Sequence, residues 1–589
     1  MSSNKPSVGI KTAKREEKEG GAFYLDLETT AAWINNLPRG SVGKTAQQLF
    51  SSLNDINKIK LDYEDRFDYL ELIREPLLYT MATMEKHYNS ENFPLIKKQQ
   101  KIASLSREFC LLMMMGYIIG VEELLEDYNV KRDKKFIGLL IHRAISYISH
   151  FILISYQLYM LIPPDIWMKL HKLYLFAEEN NVSNIKITDE QYQHFNQTTI
   201  FEEYARILLL ASASPYHMRS GEVGDVYINI ERWMELISIH SVRNKIESNC
   251  FFVVDVSSEA SALKKSELKG KRKNNLRVIV IDEMMHKIDR ELQSSEVVSS
   301  HRLISANLSD AALSHDLLRR LKCYWAANQE SLVDSGDIKR KVSMVVGISA
   351  THNLVKEISK YRGDDARDIF SRLSGIGSEN IQMKAAPPRH IEKEKKATTQ
   401  EIKIPSKVAS VSENWLLISD THGEYCLQCD DACAQQLQVG EVVGIRQSTG
   451  SKDFVLGIIS WLRVYGNNMI KLGIKQISTS AMAIELRADS DNSELNQAQR
   501  ALLLPVKKEV GQLSSIVVFS TLFKRDMPVM INIFGKEILV KLTHKFINSG
   551  FYAQYQYEPL INKPTRKKNK SPVKHKKANS GFDEIWDSI

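Results

Sequence analysis

The sequence predicts an α+β multidomain chain, with an all-α N-terminal domain followed by small β-barrels. Three observations carry this. Apolar residues recur at three- and four-residue spacing through the first 240 positions. Short β-branched runs replace them from residue 249 onward. Between these barrel-like runs lies the interval 375–400, with Pro387, Pro388 and the charged EKEKKATTQE, which has linker composition. The 589 residues, 43% apolar and 25% charged, exclude a mostly disordered or collagen-like chain.

Taken in order, residues 1–20 are polar, lack the apolar core of a signal peptide, and are expected to be a disordered tail. Residues 21–240 form the all-helical domain. Helices are predicted over 46–57, 63–88, 97–127, 134–162, 165–180 and 199–212, with Pro94, the Pro163–Pro164 pair and Ser214–Pro215 breaking between them. The stretch 144–162 (AISYISHFILISYQLYMLI) is long enough to cross a membrane. Its three serines, His150 and Gln157, with His142 and Arg143 just before it, predict a buried helix instead. Residues 241–335 read as a mixed α/β connecting region. CFFVVDVS and LRVIVIDEM flank a basic loop at 264–275, and a helix over 310–328 follows. A strand is expected at 342–349, then strands around 415–429, 441–446, 454–464 and 469–477, and a last set at 515–520, 529–534, 537–543 and 551–557. The last set defines a small β module at 491–560. Residues 561–580 are a basic tail, disordered by composition. In 581–589 (GFDEIWDSI), Phe582, Ile585, Trp586 and Ile589 share one helical face, the pattern of a partner-docking peptide. Its groove lies on another protein or on this chain's own helical domain.

Charge needs care. Lys+Arg 79 against Asp+Glu 71 gives a net +8, but 563–577 alone holds eight Lys/Arg and no acid, leaving 71 against 71 elsewhere. The folded body is balanced, so charge does not predict specific nucleic-acid binding. The tail could hold anionic lipid at about 1 kcal/mol per basic residue near the surface, or serve as a solubilising spacer. Six cysteines, three of them isolated, fit a reducing cytoplasm rather than a disulfide framework.

Catalytic signals are weak. PRGSVGKT at 38–45 is similar to a phosphate-binding loop, but Pro38 stands where the first Gly belongs and the preceding residues read as helix. Ser41 is better placed at a helix start. His422, Cys426, Cys429 and Cys433 have partial zinc spacing, yet alternation along a strand puts Cys426 and Cys429 on opposite sides, and no second Cys pair completes a set. No metal site is expected. No G-x-S-x-G, H-E-x-x-H or paired acidic motif occurs, and a non-enzymatic protein is the expectation.

Residues 415–477 carry WLLISDTHGEYCLQC, LQVGEVVGIRQS and DFVLGIISWLRVYGNNMIKLGIKQIS. This resembles a PilZ domain, the small bacterial β-barrel that receives cyclic di-GMP. An R-x-x-x-R segment should lead into its first strand, and the match lies upstream in DIKRKVSMVVGIS at 337–349. The resemblance then implies a degenerate PilZ-like barrel over 336–490 with an insertion at about 350–412. With GAFYLDL and the terminal FDEIWDSI, the chain resembles the FimW-like family of long gammaproteobacterial PilZ proteins with a helical N-terminal half. The resemblance implies a cyclic-di-GMP receptor that couples the second messenger to surface motility or attachment through type IV pili. The alternative is a ligand-free scaffold acting through protein contacts. It also implies a cytoplasmic chain recruited to the inner membrane face or cell pole, with pilus or motility proteins as partners. The implied ligand residues are Lys339, Arg340 and Lys341 for phosphate, Ser419 and Thr421 for a base edge, and Arg446, with Arg463 secondary, for stacking. Gly336 stands four residues before Arg340, so the two-arginine clamp has one arginine.

Overall fold

The computed structural model describes residues 7–16, 27–89, 93–127, 133–189, 196–219, 221–241, 248, 250–262, 273–294, 313–326, 336, 338–361, 412–421, 423–429, 436–446, 453–466, 469–488, 497–504, 514–520, 522–533 and 536–560. The chain divides into two compact units, Met1–Leu332 with Arg463–Tyr465, and Val333–Leu462 with Gly466–Ile589.

The first unit is built on α1 (Leu27–Asn35), α2 (Val42–Ile56), α3 (Tyr63–Tyr88), α4 (Lys97–Asp127), α5 (Lys134–Gln157) and α6 (Pro164–Glu179). The short strands β1 (Ile187–Thr188) and β2 (Gln197–Thr198) lead into α7 (Ile200–Ser212) and α8 (Glu222–Glu231). Local chemistry sets the helix starts. The Asp62 carboxylate accepts the Glu64 N–H at 2.9 Å, and Glu64 and Asp65 then sit in the first turn of α3 where the helix dipole favours acids. Thr199 and Glu202 form a reciprocal capping box at α7. α5 runs through the core, with Ile141, Ile145, Ile148 and Ile152 all buried. It is the one described helix long and apolar enough to cross a membrane, and most of that stretch is enclosed by the fold. It ends at Gln157 rather than 162, because Tyr159 takes a left-handed φ of 55° ahead of the proline pair. A fully buried Arg66 pairs with Glu123 at 2.6 Å and donates to the Ile56 and Ile59 carbonyls, so α2, α3 and α4 are held by a satisfied buried charge.

Two expectations for this unit need correction. Residues 7–16 are not a free tail. Val8 and Ile10 are buried, the Val8 N–H donates to Glu122, and Lys172 donates to the Gly9 carbonyl. Two apolar residues two positions apart suffice to seat a segment whose average composition is polar. Residues 241–332 are not a separate connector either. β3 (Ser238–Ser241) runs up to them, and they hold β4 (Phe251–Asp255), β5 (Leu276–Val280), α9 (Asp282–Ser294) and α10 (His315–Ala326). β5 lies between β3 and β4. Val254, Ile279, Met284, Leu317 and Trp325 join the helical core, and the Trp325 indole donates to the Leu209 carbonyl at 3.1 Å.

The second unit contains two closed six-stranded barrels. The first takes β6 (Arg340–Val346), β7 (Ser412–Thr421), β8 (Glu424–Cys429), β9 (Val442–Arg446), β10 (Phe454–Val464) and β11 (Ile470–Ser478), in the order β10-β11-β8-β7-β6-β9. The helix α11 (Ile348–Tyr361) follows β6, so residues 347–411 stand between two neighbouring strands of one barrel. The second barrel takes β12 (Met482–Ala488), β13 (Gln499–Leu504), β14 (Ser515–Phe519), β15 (Pro528–Ile533), β16 (Lys536–Asn548) and β17 (Tyr552–Pro559), in the order β12-β13-β14-β17-β16-β15. Residues 482–488, inside the expected bounds of the first barrel but outside its expected strands, form β12, the first strand of the second barrel, pairing with β13 and β15. Closure removes free edges from both.

α11 is the start of the expected insertion, yet it is packed rather than solvated. Ile348, Leu354, Val355 and Ile358 share one apolar cluster with Val345, Val442 and Leu456 of the first barrel and Leu502, Leu504 and Val517 of the second. Gly444 of β9 makes this possible. A Cβ there would fall 2.9 Å from a Leu354 methyl and 3.2 Å from a Val345 methyl, so a larger residue crowds the packed helix.

Candidate ligand site on the first barrel

The start of β6 carries the cations and the end of β7 the hydroxyls, and the two strands are antiparallel neighbours. Arg340 is opposite Leu417 and Lys341 opposite Leu416. Just before the strand, the Ile338 N–H donates to the Ile418 carbonyl at 3.1 Å. Lys339, Arg340 and Lys341 are all exposed. By alternation Arg340 belongs to the side of β6 carrying Val342 and Met344, and Lys341 to the side carrying Ser343 and Val345.

On β7 the register slips between Leu417 and Ser419, a bulge that re-aims the end of the strand. Beyond it Ser419 is opposite Cys426, and Thr421 opposite Glu424. The Ser419 and Thr421 hydroxyls share a hydrogen bond at 3.1 Å, Ser419 buried and Thr421 exposed. Gly423, with φ +82°, makes the turn into β8, and its carbonyl accepts the Gln476 N–H at 2.8 Å. The Tyr425 hydroxyl donates to the Gln476 side chain at 3.0 Å and is raised by burial.

Gly336 explains the missing first arginine. A Cβ at this position would lie 2.5 Å from the Ile418 carbonyl oxygen and 3.0 Å from the Ser419 Cβ. The chain is pressed so tightly on β7 that no side chain fits there.

Arg446 does not join this group. It is opposite Ser343 on β6, three residues inward from Arg340 and so about 10 Å along the strand. It is 5% exposed, and its guanidinium pairs with Glu357 of α11 at 3.4 Å. It is a link between α11 and the barrel wall. Arg463 lies in the first unit, its guanidinium carbon 4.7 Å from the Tyr216 ring centroid. Trp415 and Trp461 are buried barrel residues.

The segment at 38–45 lacks the strand-to-helix setting of a phosphate-binding loop. Ser41 is the N-cap of α2, α1 rather than a strand precedes it, and Thr45 is buried with its hydroxyl donating to the Pro38 carbonyl at 2.9 Å. Cys426 and Cys429 are both buried on β8, while His422 and Cys433 lie outside the described residues. Among the described residues no His/Cys/Asp/Glu group has metal-site geometry. Phe582, Ile585, Trp586 and Ile589, and the basic tail, also lie outside the described residues.

Two features escaped sequence reasoning. Glu441, in the turn into β9, lies 3.4 Å from the place of a Cβ on Gly347, at the start of α11, and burial pushes its carboxyl up to about 7. Its only signal in the sequence is an acid set between Gly440 and two valines. The helical unit also holds a cavity of about 290 Å³ lined by Lys186, Thr198, Glu202, Arg206, Glu231 and Glu235 among others. Three carboxylates there oppose two cations, and Arg206 is engaged by Glu231 at 3.5 Å and by the Tyr227 ring at 3.7 Å. That lining suits a phosphate dianion less well than the start of β6.

Three family models match the chain in succession. The model described as the N-terminal domain of cyclic-di-GMP receptor FimW matches residues 28–244. Its middle PilZ domain matches 356–482, and its C-terminal β-barrel domain 483–560. The PilZ match begins inside α11 and so leaves out β6, which nonetheless closes the barrel. A curated relative, the cyclic-di-GMP receptor FimW of Pseudomonas aeruginosa, is 24% identical over 596 residues, covering 95% of each chain. No solved structure matches significantly. Helical unit, PilZ barrel and terminal barrel thus follow one another as the parts of a single known protein do, and the chain belongs to the FimW family.

Proposed function

We propose that this chain is a cyclic-di-GMP receptor and effector, without enzymatic activity, whose ligand binds at the junction of β6 and β7. The observation that carries this is the juxtaposition of exposed Lys339, Arg340 and Lys341 with the Ser419–Thr421 hydroxyl pair, on the barrel that the PilZ model matches. A cyclic dinucleotide carries two phosphates and two flat bases. Arg340 supplies a bidentate, planar cation for phosphate or base, the flanking lysines add charge, and the hydroxyls offer short hydrogen-bonding groups. With Gly336 in place of a second arginine, binding is weaker than a full clamp would give.

Binding at the start of β6 acts on α11, which follows that strand and packs on both barrels. The ligand changes this coupling only by binding one arrangement more tightly than another. In this proposal the chain works in the cytoplasm and passes the signal to type IV pilus or other motility and attachment proteins. It is recruited to the inner membrane face or cell pole, with the basic 563–577 segment holding anionic lipid. Titration of the full chain with cyclic di-GMP tests the ligand. A second function, a ligand-free scaffold, is favoured by Gly336 alone, and absence of binding at high micromolar ligand selects it.

A further inference from the structure

One end of the second barrel carries two adjacent exposed apolar side chains, Phe546 and Ile547. β16 and β17 pair as a long hairpin whose register shifts between Leu542 and Lys545 and again between Lys545 and Ile547. Such bulges re-aim side chains. Phe546 is 41% exposed and Ile547 38%. His544 stands edge-on to Phe546 at 5.2 Å, and the Lys545 ammonium lies 5.6 Å from the Tyr555 ring centroid. The loop 522–527 closes the same end. The Asp526 N–H donates to the Leu542 carbonyl, the Tyr555 hydroxyl donates to the Phe523 carbonyl, and Lys524 and Arg525 are exposed. The result is an apolar pair with a rim of net positive charge, part of which Asp526 offsets by pairing with Arg525 at 3.5 Å and Lys541 at 2.7 Å.

We propose that this patch is the seat of residues 581–589 of the same chain. GFDEIWDSI offers Phe582, Ile585, Trp586 and Ile589 to the apolar pair, and Asp583, Glu584 and Asp587 to the cationic rim. The tether has the right length. β17 runs from the patch end at Tyr552 to the opposite end at Pro559, eight residues or roughly 25 Å. For the segment to reach the patch residues 560–581 must cover that span, and a random coil of 22 residues has a root-mean-square reach of roughly 25 Å, more when charge extends it. Effective concentration is highest when reach matches span. The linker is itself cationic and is repelled by the rim, so the acidic segment beyond it is the part drawn there. The inference does not depend on the ligand proposed for the first barrel.

The test uses a chain ending at residue 580 and a fluorescent synthetic peptide of residues 581–589, read by anisotropy. The shortened chain should bind the peptide, and the full chain, its seat occupied, about tenfold less well. Phe546→Ser with Ile547→Ser in the shortened chain should weaken binding about tenfold or more, as should Trp586→Ala in the peptide, which leaves the protein untouched. Equal binding by full and shortened chains, indifference to both sets of substitutions, or no peptide binding would overturn the proposal. So would Phe546-dependent capture on phosphatidylglycerol vesicles without peptide binding, which would assign the patch to lipid.

Discussion

Arg340 and Gly336 stand four positions apart and have opposite fates on the same barrel edge. Arg340 is exposed where β6 begins, whereas Gly336 lies too close to the Ile418 carbonyl for any Cβ. Arg340→Ala should lower cyclic-di-GMP affinity roughly 10- to 100-fold, the worth of a charge-assisted phosphate contact of about 1.5–3 kcal/mol, and calorimetry reads it directly. Unchanged affinity would mean that the site lies elsewhere. Gly336→Arg should fail to restore a clamp and should lower the melting temperature, since the added side chain displaces β7 at a cost of about 1–3 kcal/mol. A stable Gly336→Arg chain with tighter binding would refute the steric account. At this scale the sequence offered candidate residue types but not their grouping. Lys339–Lys341 and Ser419–Thr421 could be picked out by residue type. That Arg446 instead reaches Glu357 depended on α11, which lies beyond what a local pattern contains.

At the scale of elements, α11 joins the two barrels, and Gly444 and Glu441 bear on it. Gly444→Val should push α11 off β9, destabilising the chain by about 1–3 kcal/mol in chemical denaturation, and no loss would show that the helix adjusts freely. Glu441 gives a pH dependence of known sign. Burial raises its carboxyl from the ordinary 4.5 to about 7, so in that window the folded chain holds a proton that the unfolded chain has lost. Its contribution to stability is full below the unfolded value and is lost as pH rises to about 7. Melting temperature should therefore fall more from pH 5 to 7.5 in the unaltered chain than in Glu441→Gln, and parallel curves would contradict this. The long helices and most barrel strands were legible because their apolar spacing is local. β13 was not, because QRALLL lacks the β-branched residues that mark a strand and is decided by its neighbours. α11 was hidden for a related reason: ISATHNLVKEISKY begins immediately after a β-branched run and is separated from it by Gly347 alone.

For the whole molecule, a charge-balanced body with its excess charge at 563–577 has no general basic field, so the proposed phosphate recognition rests on a few placed groups. The order of helical unit, PilZ barrel and terminal barrel was legible, because changes of periodicity mark it along the chain. Membership of residues 241–332 in the helical core was not, since contacts such as Trp325 with Leu209 span more than a hundred residues. The β6–β7 junction is the proposed seat of cyclic di-GMP. Calorimetric titration of the full chain and of its Arg340→Ala variant tests it most directly. Saturable micromolar binding to the unaltered chain and a loss of at least about tenfold in the variant are expected. No binding at high micromolar ligand, or equal binding by the two chains, would contradict it.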